Sequence, residues 1–274
     1  GLSLFHSVAS FNNSGFDVLG NGTSLIPYQK DVLLNLVTCA LVIAGGIGFP
    51  VIFELLLKHF SWERQSMHTR VVLSTTFALL LFGTLLLKLT ENISWLGAFF
   101  YSVSARTAGF STYNLGDFST AGLLVVSGLM FIGASPASTG GGIKTTTFFV
   151  LLSGIYSAAT NHSERAFHNA IPKDAFRKAS VISILAAFLV MTASYLMLIF
   201  DPQLSLRDVL FEMISAFSTS GLSTGITPQL SAQSRILSII MMYIGRLGPL
   251  TVASLWYFTI GERVRYPEGT IAIG

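Results

Sequence analysis

Five long apolar stretches divide the chain, at residues 32–57, 71–89, 121–159, 179–200 and 236–260. Each is long enough to cross a lipid bilayer, which takes about 20 consecutive apolar residues. The third is too long for one simple crossing, and its middle, residues 133–142, is rich in glycine, serine and proline. Because glycine and proline interrupt helices, this stretch predicts two half-helices joined by a loop at membrane depth. Such a loop is tolerated where it is buried in protein or lines a watery cavity.

Three shorter apolar segments lie between the long stretches, at residues 3–11, 94–105 and 206–217. Each spans only one to three helical turns, which is too short to cross a membrane. Each also runs directly into a polar turn that contains glycine. The pattern is typical of a re-entrant pore helix followed by a filter strand.

These polar turns repeat along the chain as Asn12-Asn13-Ser14-Gly15, Arg106-Thr107-Ala108-Gly109 and Ser218-Thr219-Ser220-Gly221. Phe or Leu follows each glycine, and a second glycine element follows 24 to 30 residues later, at Gly45, Gly133 and Gly245. The repeating unit is therefore a membrane helix, a pore helix, a glycine turn and a second membrane helix. One such turn would be an ordinary loop, but three in register with flanking helices favour a shared function.

Cation conduction fits the chemistry of these turns. A filter replaces the hydration shell of an ion with oxygen ligands, and backbone carbonyls do this where side chains stay out of the way. Glycine permits the backbone dihedrals that turn carbonyls toward an axis. The sequence therefore predicts a cation filter lined by the backbone of the three turns.

Composition supports a membrane protein and excludes several other classes. Hydrophobic residues form 51% of the chain and charged residues only 11%, whereas soluble domains carry about 25% charged residues. The sequence has no basic stripe with interleaved aromatics, so nucleic-acid binding is not predicted. Its single cysteine excludes disulfides within the chain. The five histidines do not have the spacing of metal ligands. The sequence contains no set of residues typical of a catalytic site, so we do not predict an enzyme. The chain begins without Met, which suggests either a fragment or a processed chain.

Basic residues predict the orientation, because Lys and Arg concentrate in cytoplasmic loops. If the chain starts outside, four lie in outer segments: Lys30, Lys88, Arg207 and Arg235. Nine lie in inner segments: Lys58, Arg64, Arg70, Arg165, Lys173, Arg177, Lys178, Arg263 and Arg265. This asymmetry predicts a cytoplasmic C-terminus and places all three short segments on the outer face.

Several motifs together resemble the Ktr/Trk/HKT potassium transporters, and most closely the Ktr-type bacterial membrane subunit. They are Ser104-Ala105-Arg106-Thr107-Ala108-Gly109-Phe110, the glycine-rich loop from Gly133 to Lys144, Gly245-Arg246-Leu247-Gly248-Pro249, and the closing Arg265-Tyr266-Pro267-Glu268-Gly269. The resemblance implies an all-α integral membrane fold, with helix–pore loop–helix units around a pseudo-fourfold pore. It makes residues 1–57 a second repeat without its first helix, 58–159 a third repeat with a broken inner helix, and 160–274 a fourth repeat with the C-terminus. Three turns cannot enclose an ion alone.

The resemblance also implies residue roles. The filter, which binds K⁺ through backbone carbonyls, would be formed by Asn12, Asn13, Ser14, Gly15, Arg106, Thr107, Ala108, Gly109, Ser218, Thr219, Ser220 and Gly221. The gate below it would be formed by Gly133, Ala134, Ser135, Ser138, Thr139, Gly140, Gly141, Gly142, Lys144 and Arg246. We expect the Arg106 side chain to point away from the ion path, since a guanidinium there would repel cations. Lys144 is either an electrostatic barrier or a side chain that snorkels to the inner interface. Arg246 either acts at the gate or pairs with an acid, for which Glu54 is a candidate.

By resemblance, the function is potassium translocation across the plasma membrane by a multi-pass protein, with K⁺ as the transported ion and Na⁺ as an activator. The partners implied are a second copy in a homodimer and a cytoplasmic nucleotide-binding regulatory subunit. The alternative is a secondary transporter of another solute, which would also contain discontinuous helices. That alternative predicts inverted repeats and a midplane pocket rather than three turns on one face.

Overall fold

The computed structural model describes residues 1–17, 19–20, 22–161, 165–167, 169–172, 174–249 and 251. Within them the chain forms ten α-helices and one short hairpin, β1 (Arg165–Ala166) and β2 (Asn169–Ala170). The helices are α1 (Leu2–Phe11), α2 (Val32–Gly46), α3 (Phe49–Leu57), α4 (Met67–Thr90), α5 (Trp95–Ser104), α6 (Thr120–Phe131), α7 (Thr145–Thr160), α8 (Ala175–Phe200), α9 (Leu206–Ser218) and α10 (Ala232–Leu247). The predicted all-α architecture is confirmed.

Polar residues fix where most of these helices begin. A serine accepts a hydrogen bond from the backbone N–H three residues on at the start of α4, α5, α6, α9 and α10, and Asp31 does the same for α2. Such caps satisfy N–H groups that lack a partner within the helix.

Two of the capping serines are also held by an acid from the preceding long helix. Glu91, directly after α4, accepts from the N–H and hydroxyl of Ser119 at 3.0 and 2.6 Å. Asp201, directly after α8, accepts from the N–H and hydroxyl of Ser231 at 3.1 and 3.0 Å. We call these two contacts the acid–serine staples. They connect the end of α4 to the start of α6 and the end of α8 to the start of α10.

The helices α4 and α8 are long and apolar enough to cross a membrane, and contain the predicted spans 71–89 and 179–200. Their outward faces expose large apolar side chains such as Phe77, Phe82, Ile184 and Phe188, each more than 60% exposed. Apolar exposure on this scale suits contact with lipid.

The predicted first span, residues 32–57, is not one straight helix. It divides into α2 and α3, which meet at a bend of 96°. Gly48 forms the bend with φ +92°, and a Cβ there would lie 2.5 Å from the carbonyl oxygen of Pro136. Gly248, after α10, has nearly the same conformation, with φ +89°. The hydrophobic pattern missed the bend because apolar residues continue through it.

The other predicted segments match the structure closely. The third long stretch is interrupted as expected, with α6 and α7 on either side of a loop. An isolated β-bridge between Ile132 and Ile143 holds the two ends of this loop together. The three short segments are α1, α5 and α9. The fifth stretch begins in α10. Several predicted features lie outside the described residues: the end of that stretch, the motif at residues 265–269, His162, His168 and Lys173.

The pore helices α5 and α9 form the centre of the fold. Helix α5 packs against α4 and α2, and α9 packs against α8, α10 and α6. Tyr101 in α5 and Val209, Met213 and Phe217 in α9 are completely buried. Helix α1 packs mainly on α2, and Leu2, Leu4, Phe5 and Val8 remain exposed.

Candidate ion filter and gate

The three glycine turns share one unusual backbone conformation. Each has a left-handed residue two positions before its glycine and a left-handed glycine: Asn13 and Gly15 at φ +50° and +63°, Thr107 and Gly109 at +75° and +83°, and Thr219 and Gly221 at +54° and +84°. Left-handed residues other than glycine are uncommon. Their recurrence at equivalent positions shows that the sequence repeat is also a repeat of backbone geometry, as a carbonyl-lined filter requires.

Neighbouring turns are in direct contact through their glycines. A Cβ at Gly15 would lie 2.6 Å from the carbonyl oxygen of Ala108 and 3.0 Å from the Cα of Gly109. A Cβ at Gly109 would overlap the carbonyl oxygen of Ser220. In both pairs, the glycine of one turn faces the carbonyl of the residue that precedes the glycine of the next turn. These positions therefore require glycine for close approach as well as for their dihedrals.

The turns form an open arc in chain order. The turn at Gly109 lies between the other two, and the Cβ position of Gly221 has no neighbour within 4 Å among the described residues. The arc therefore has a free side at its third turn.

Glycines of two inner helices support the turns from below. A Cβ at Gly45 in α2 would overlap the carbonyl oxygen of Phe11, and one at Gly245 in α10 would overlap that of Phe217. Phe11 and Phe217 each lie four residues before a filter glycine. Gly133 was expected to be their counterpart in the middle repeat, but its Cβ would instead overlap the carbonyl oxygen of Gly141. The loop after α6 replaces that helix contact.

Three successive residues of this loop contact the three turns in order. Thr139 Oγ1 donates to the carbonyl of Phe11 at 3.5 Å, at the base of the first turn. A Cβ at Gly140 would overlap the Thr107 hydroxyl, and one at Gly141 would lie 2.8 Å from the carbonyl oxygen of Ser218. The loop therefore lies directly against the base of the arc, as the gate prediction requires.

Backbone hydrogen bonds fasten the loop to the bend between α2 and α3. The N–H of Ser135 donates to the carbonyl of Gly46 at 3.0 Å, and the N–H of Phe49 donates to the carbonyl of Ala137 at 3.2 Å. Within the loop, the hydroxyl of Ser138 donates to the carbonyl of Ser135 at 2.6 Å, and Ala134 donates to Gly141 at 3.4 Å. Gly142 is left-handed, with φ +70°. The predicted gate residues are thus brought together in one compact loop.

Two cationic side chains bind adjacent carbonyls of the loop. Lys144 Nζ donates to the carbonyl of Gly140 at 2.7 Å, and Arg246 Nη1 donates to the carbonyl of Thr139. Lys144 therefore folds back onto the loop. Glu54 instead accepts hydrogen bonds from Lys58, Ser66 and Thr69. The proposed pairing of Arg246 with Glu54 is wrong.

Arg106 directs its side chain toward α4. Its residue is 6% exposed, and Nη2 donates to Thr76 Oγ1 at 3.4 Å. The guanidinium borders a small space lined by Val42, Gly46 and Leu80. The side chain therefore packs against α4, which fits the expectation that it points away from the ion path.

Two of the other predicted filter residues form local hydrogen bonds, and two have buried hydroxyls without a described partner. Asn12 Nδ2 donates to the carbonyl of Val8 at 2.8 Å, and Ser14 Oγ donates to that of Ala9 at 3.1 Å. The Thr107 and Ser220 hydroxyls are buried without a protein partner among the described residues.

His6 is half-buried within the bundle. Its Nε2 lies 2.9 Å from Thr38 Oγ1, and its ring meets Phe110 edge-on at 5.0 Å. In the part of the chain that the structure describes, no group of three metal-ligating side chains occurs.

Comparison with known families agrees with this geometry. The family model for TrkH, described as "Cation transport protein", matches residues 2–90 and 67–259, which together include all three turns and the loop. The chain belongs to the TrkH family of cation transport proteins. This family consists of transporters, so the expectation that the protein is not an enzyme is confirmed.

Individual TrkH-family relatives match almost the whole chain. The Ktr system potassium uptake protein B of Vibrio alginolyticus is 35% identical over 99% of this chain and 62% of its own length. The potassium/sodium uptake protein NtpJ of Enterococcus hirae is 34% identical over 100% of this chain and 64% of its own length. The chain thus spans less than two thirds of the length of these relatives.

A solved structure has the same fold. The crystal structure of the potassium transporter TrkH from Vibrio parahaemolyticus superposes with a TM-score of 0.75 over 92% of this chain and 57% of its own chain. At 17% sequence identity this match shows the fold alone. Membership of the TrkH family, together with the apolar outward faces of α4 and α8, places the chain in a membrane as a multi-pass protein.

Proposed function

We propose that the protein translocates potassium ions across the plasma membrane, as part of a longer chain. The arc of three turns carries this proposal, because it repeats one left-handed conformation and packs glycine against carbonyl from turn to turn. Backbone carbonyls in such a frame can replace the hydration shell of a cation. Potassium is favoured by the names of the relatives, which are potassium or potassium/sodium uptake proteins.

Closure of the pore requires a further turn beside Gly221. The three turns leave that side open, and three turns surround an ion only in part. The relatives are longer than this chain, so they have residues that could supply a fourth turn. We therefore assign conduction to the longer protein.

We also propose that the loop at residues 133–144 is the gate. It contacts the base of all three turns, and Lys144 and Arg246 hold two adjacent carbonyls of its tip. A cation that leaves the filter would meet this tip first. Opening then requires the tip to move away from Thr107 and Ser218, and the small residues of the loop would permit such a movement.

The test is rubidium uptake by the full-length protein in cells that lack other potassium uptake systems. Wild type should accumulate rubidium and restore growth at low potassium. Gly109→Ser should abolish both, because a side chain there overlaps the Ser220 carbonyl, while antibody detection should show the variant in the membrane. Unchanged uptake by Gly109→Ser would refute the filter assignment.

Further proposals concern regulation and assembly. We propose activation by Na⁺, a homodimer, a cytoplasmic nucleotide-binding regulatory subunit and a cytoplasmic C-terminus, all by resemblance to the Ktr-type transporters. Uptake with and without sodium tests the first, and the mass of the purified protein in lipid nanodiscs tests the second. Co-purification from the native cell tests the third, and accessibility of a C-terminal tag tests the fourth.

A further inference from the structure

A buried tyrosine of the middle pore helix reaches the strand that follows the filter. Tyr101 in α5 is fully buried. Its hydroxyl lies 2.7 Å from the Ser111 hydroxyl and accepts from the Tyr113 N–H at 3.1 Å. It also donates to the carbonyl of Tyr113. One hydroxyl group thus bonds to two residues just beyond Gly109.

A buried carboxylate makes the equivalent connection in the third turn. Glu212 in α9 is only 9% exposed, and its Oε1 accepts from the Thr227 hydroxyl at 2.6 Å. Thr227 Oγ1 in turn lies 2.8 Å from the hydroxyl of Ser223. The acid is therefore linked through Thr227 to the strand just beyond Gly221.

Both connections end at the same place in the repeat. Ser111 lies two residues after Gly109, and Ser223 lies two residues after Gly221. The first turn differs, because His6 in α1 bonds to Thr38 in α2 instead of to the strand after Gly15. Different side chains in two repeats thus fasten the pore helix to the same position beyond the filter.

We propose that Tyr101 and Glu212 are positioning residues that set the ion preference of the filter. A filter lined by carbonyls distinguishes potassium from the smaller sodium ion by the spacing or the field of those carbonyls. A strand that can shift inward would coordinate sodium better, and a strand fastened to a buried helix resists that shift. The inference rests on the proposed function, since it assumes that the turns conduct cations.

The test compares rubidium and sodium uptake by the full-length protein and its variants. Tyr101→Phe removes one hydroxyl and keeps the buried ring, and Thr227→Val removes one hydroxyl donor to Glu212 with little change of shape. We expect each variant to lower the rubidium-to-sodium uptake ratio about fivefold, the factor that one net hydrogen bond represents. Tyr243→Phe, at a residue 67% exposed on α10, and Thr90→Val, which loses a bond within α4, are matched controls that should keep the ratio.

A purely structural role would lower thermal stability or membrane abundance and leave the uptake ratio of the remaining protein unchanged. If the wild type still takes up rubidium, that result would overturn the inference and leave the proposed function standing. If Tyr101→Phe fails to reach the membrane, Ser111→Ala tests the same hydrogen bond from the strand side. An unchanged rubidium-to-sodium uptake ratio in Ser111→Ala would equally contradict the inference. Absence of cation uptake by wild type would overturn the proposed function and this inference together.

Discussion

The turns at Gly109 and Gly15 share a backbone conformation, yet their surroundings differ. The middle turn has a neighbouring turn on each side, and Arg106, Thr107 and Ala108 are buried. The first turn has a neighbour only at Gly109, and Asn12 and Ser14 remain exposed. Beyond the glycine, Phe110 is 1% exposed whereas Phe16 is 62% exposed.

This difference indicates that the left-handed conformation is a property of the turn itself, whereas the packing around it differs from turn to turn. The left-handed pairs recur in all three turns whether they are buried or not, so local sequence determines them. The middle turn is additionally fixed by Ser104, whose hydroxyl donates to the carbonyl of Phe110, and by Tyr101. The third turn has a comparable link through Glu212 and Thr227, whereas His6 in the first of the three short helices bonds to Thr38 instead.

The largest expected effect concerns Gly221, at the free end of the arc. If a fourth turn closes the ring, Gly221→Ala in the full-length protein should abolish rubidium uptake as completely as Gly109→Ala does. Overpacking against a backbone carbonyl costs up to about 3 kcal/mol, which corresponds to about a hundredfold in rate. Uptake by the three proteins, normalised to their membrane abundance, measures this.

Gly20→Ala is the control, because Gly20 is also left-handed, with φ +83°, and a Cβ there has no described neighbour within 4 Å. It should retain wild-type uptake. If Gly221→Ala kept most of its activity while Gly109→Ala lost it, Gly221 would face open space in the whole protein as well, and ring closure at this side would be excluded.

A smaller effect is expected at the gate, where the two cations hold different parts of the loop. Arg246 holds Thr139 below the first turn, and Lys144 holds Gly140 below the middle turn. Arg246→Gln should raise rubidium uptake about tenfold, because a hydrogen bond from a charged group contributes about 1.5 kcal/mol or more. Lys144→Gln should raise it less, since Gly140 remains packed against Thr107.

Arg235→Gln is the matched control for this pair. Arg235 lies on the same helix as Arg246 but donates to the carbonyl of Pro228 at its other end, so its removal should leave uptake unchanged. Lower uptake in both Arg246→Gln and Lys144→Gln, with normal membrane abundance, would contradict the gate and favour a role in conduction.

Much of this organisation could be predicted from the sequence, because glycine turns and apolar stretches are local signals. The pore helices α1, α5 and α9 and the interruption after α6 follow directly from them. The bend at Gly48 did not, because its apolar flanks resemble a continuous span. The partner of Arg246 could not be predicted either. It is a backbone carbonyl 107 positions away, and any residue type supplies such a carbonyl.

The smallest expected effect tests whether the scaffold around the middle and third turns depends on the acid–serine staples. Glu91→Gln and Asp201→Asn keep an oxygen acceptor for the capping serine but lose the negative charge. We expect each to lower the melting temperature by about 3 °C, since the charge contributes about 1 kcal/mol to such a bond. Glu63→Gln, at an exposed residue, should leave it unchanged. The melting temperature of the purified protein in detergent measures this, and rubidium uptake should stay near wild type because neither acid touches a filter turn. A large loss of uptake without a change in melting temperature would mean that the staples act on the ion path itself.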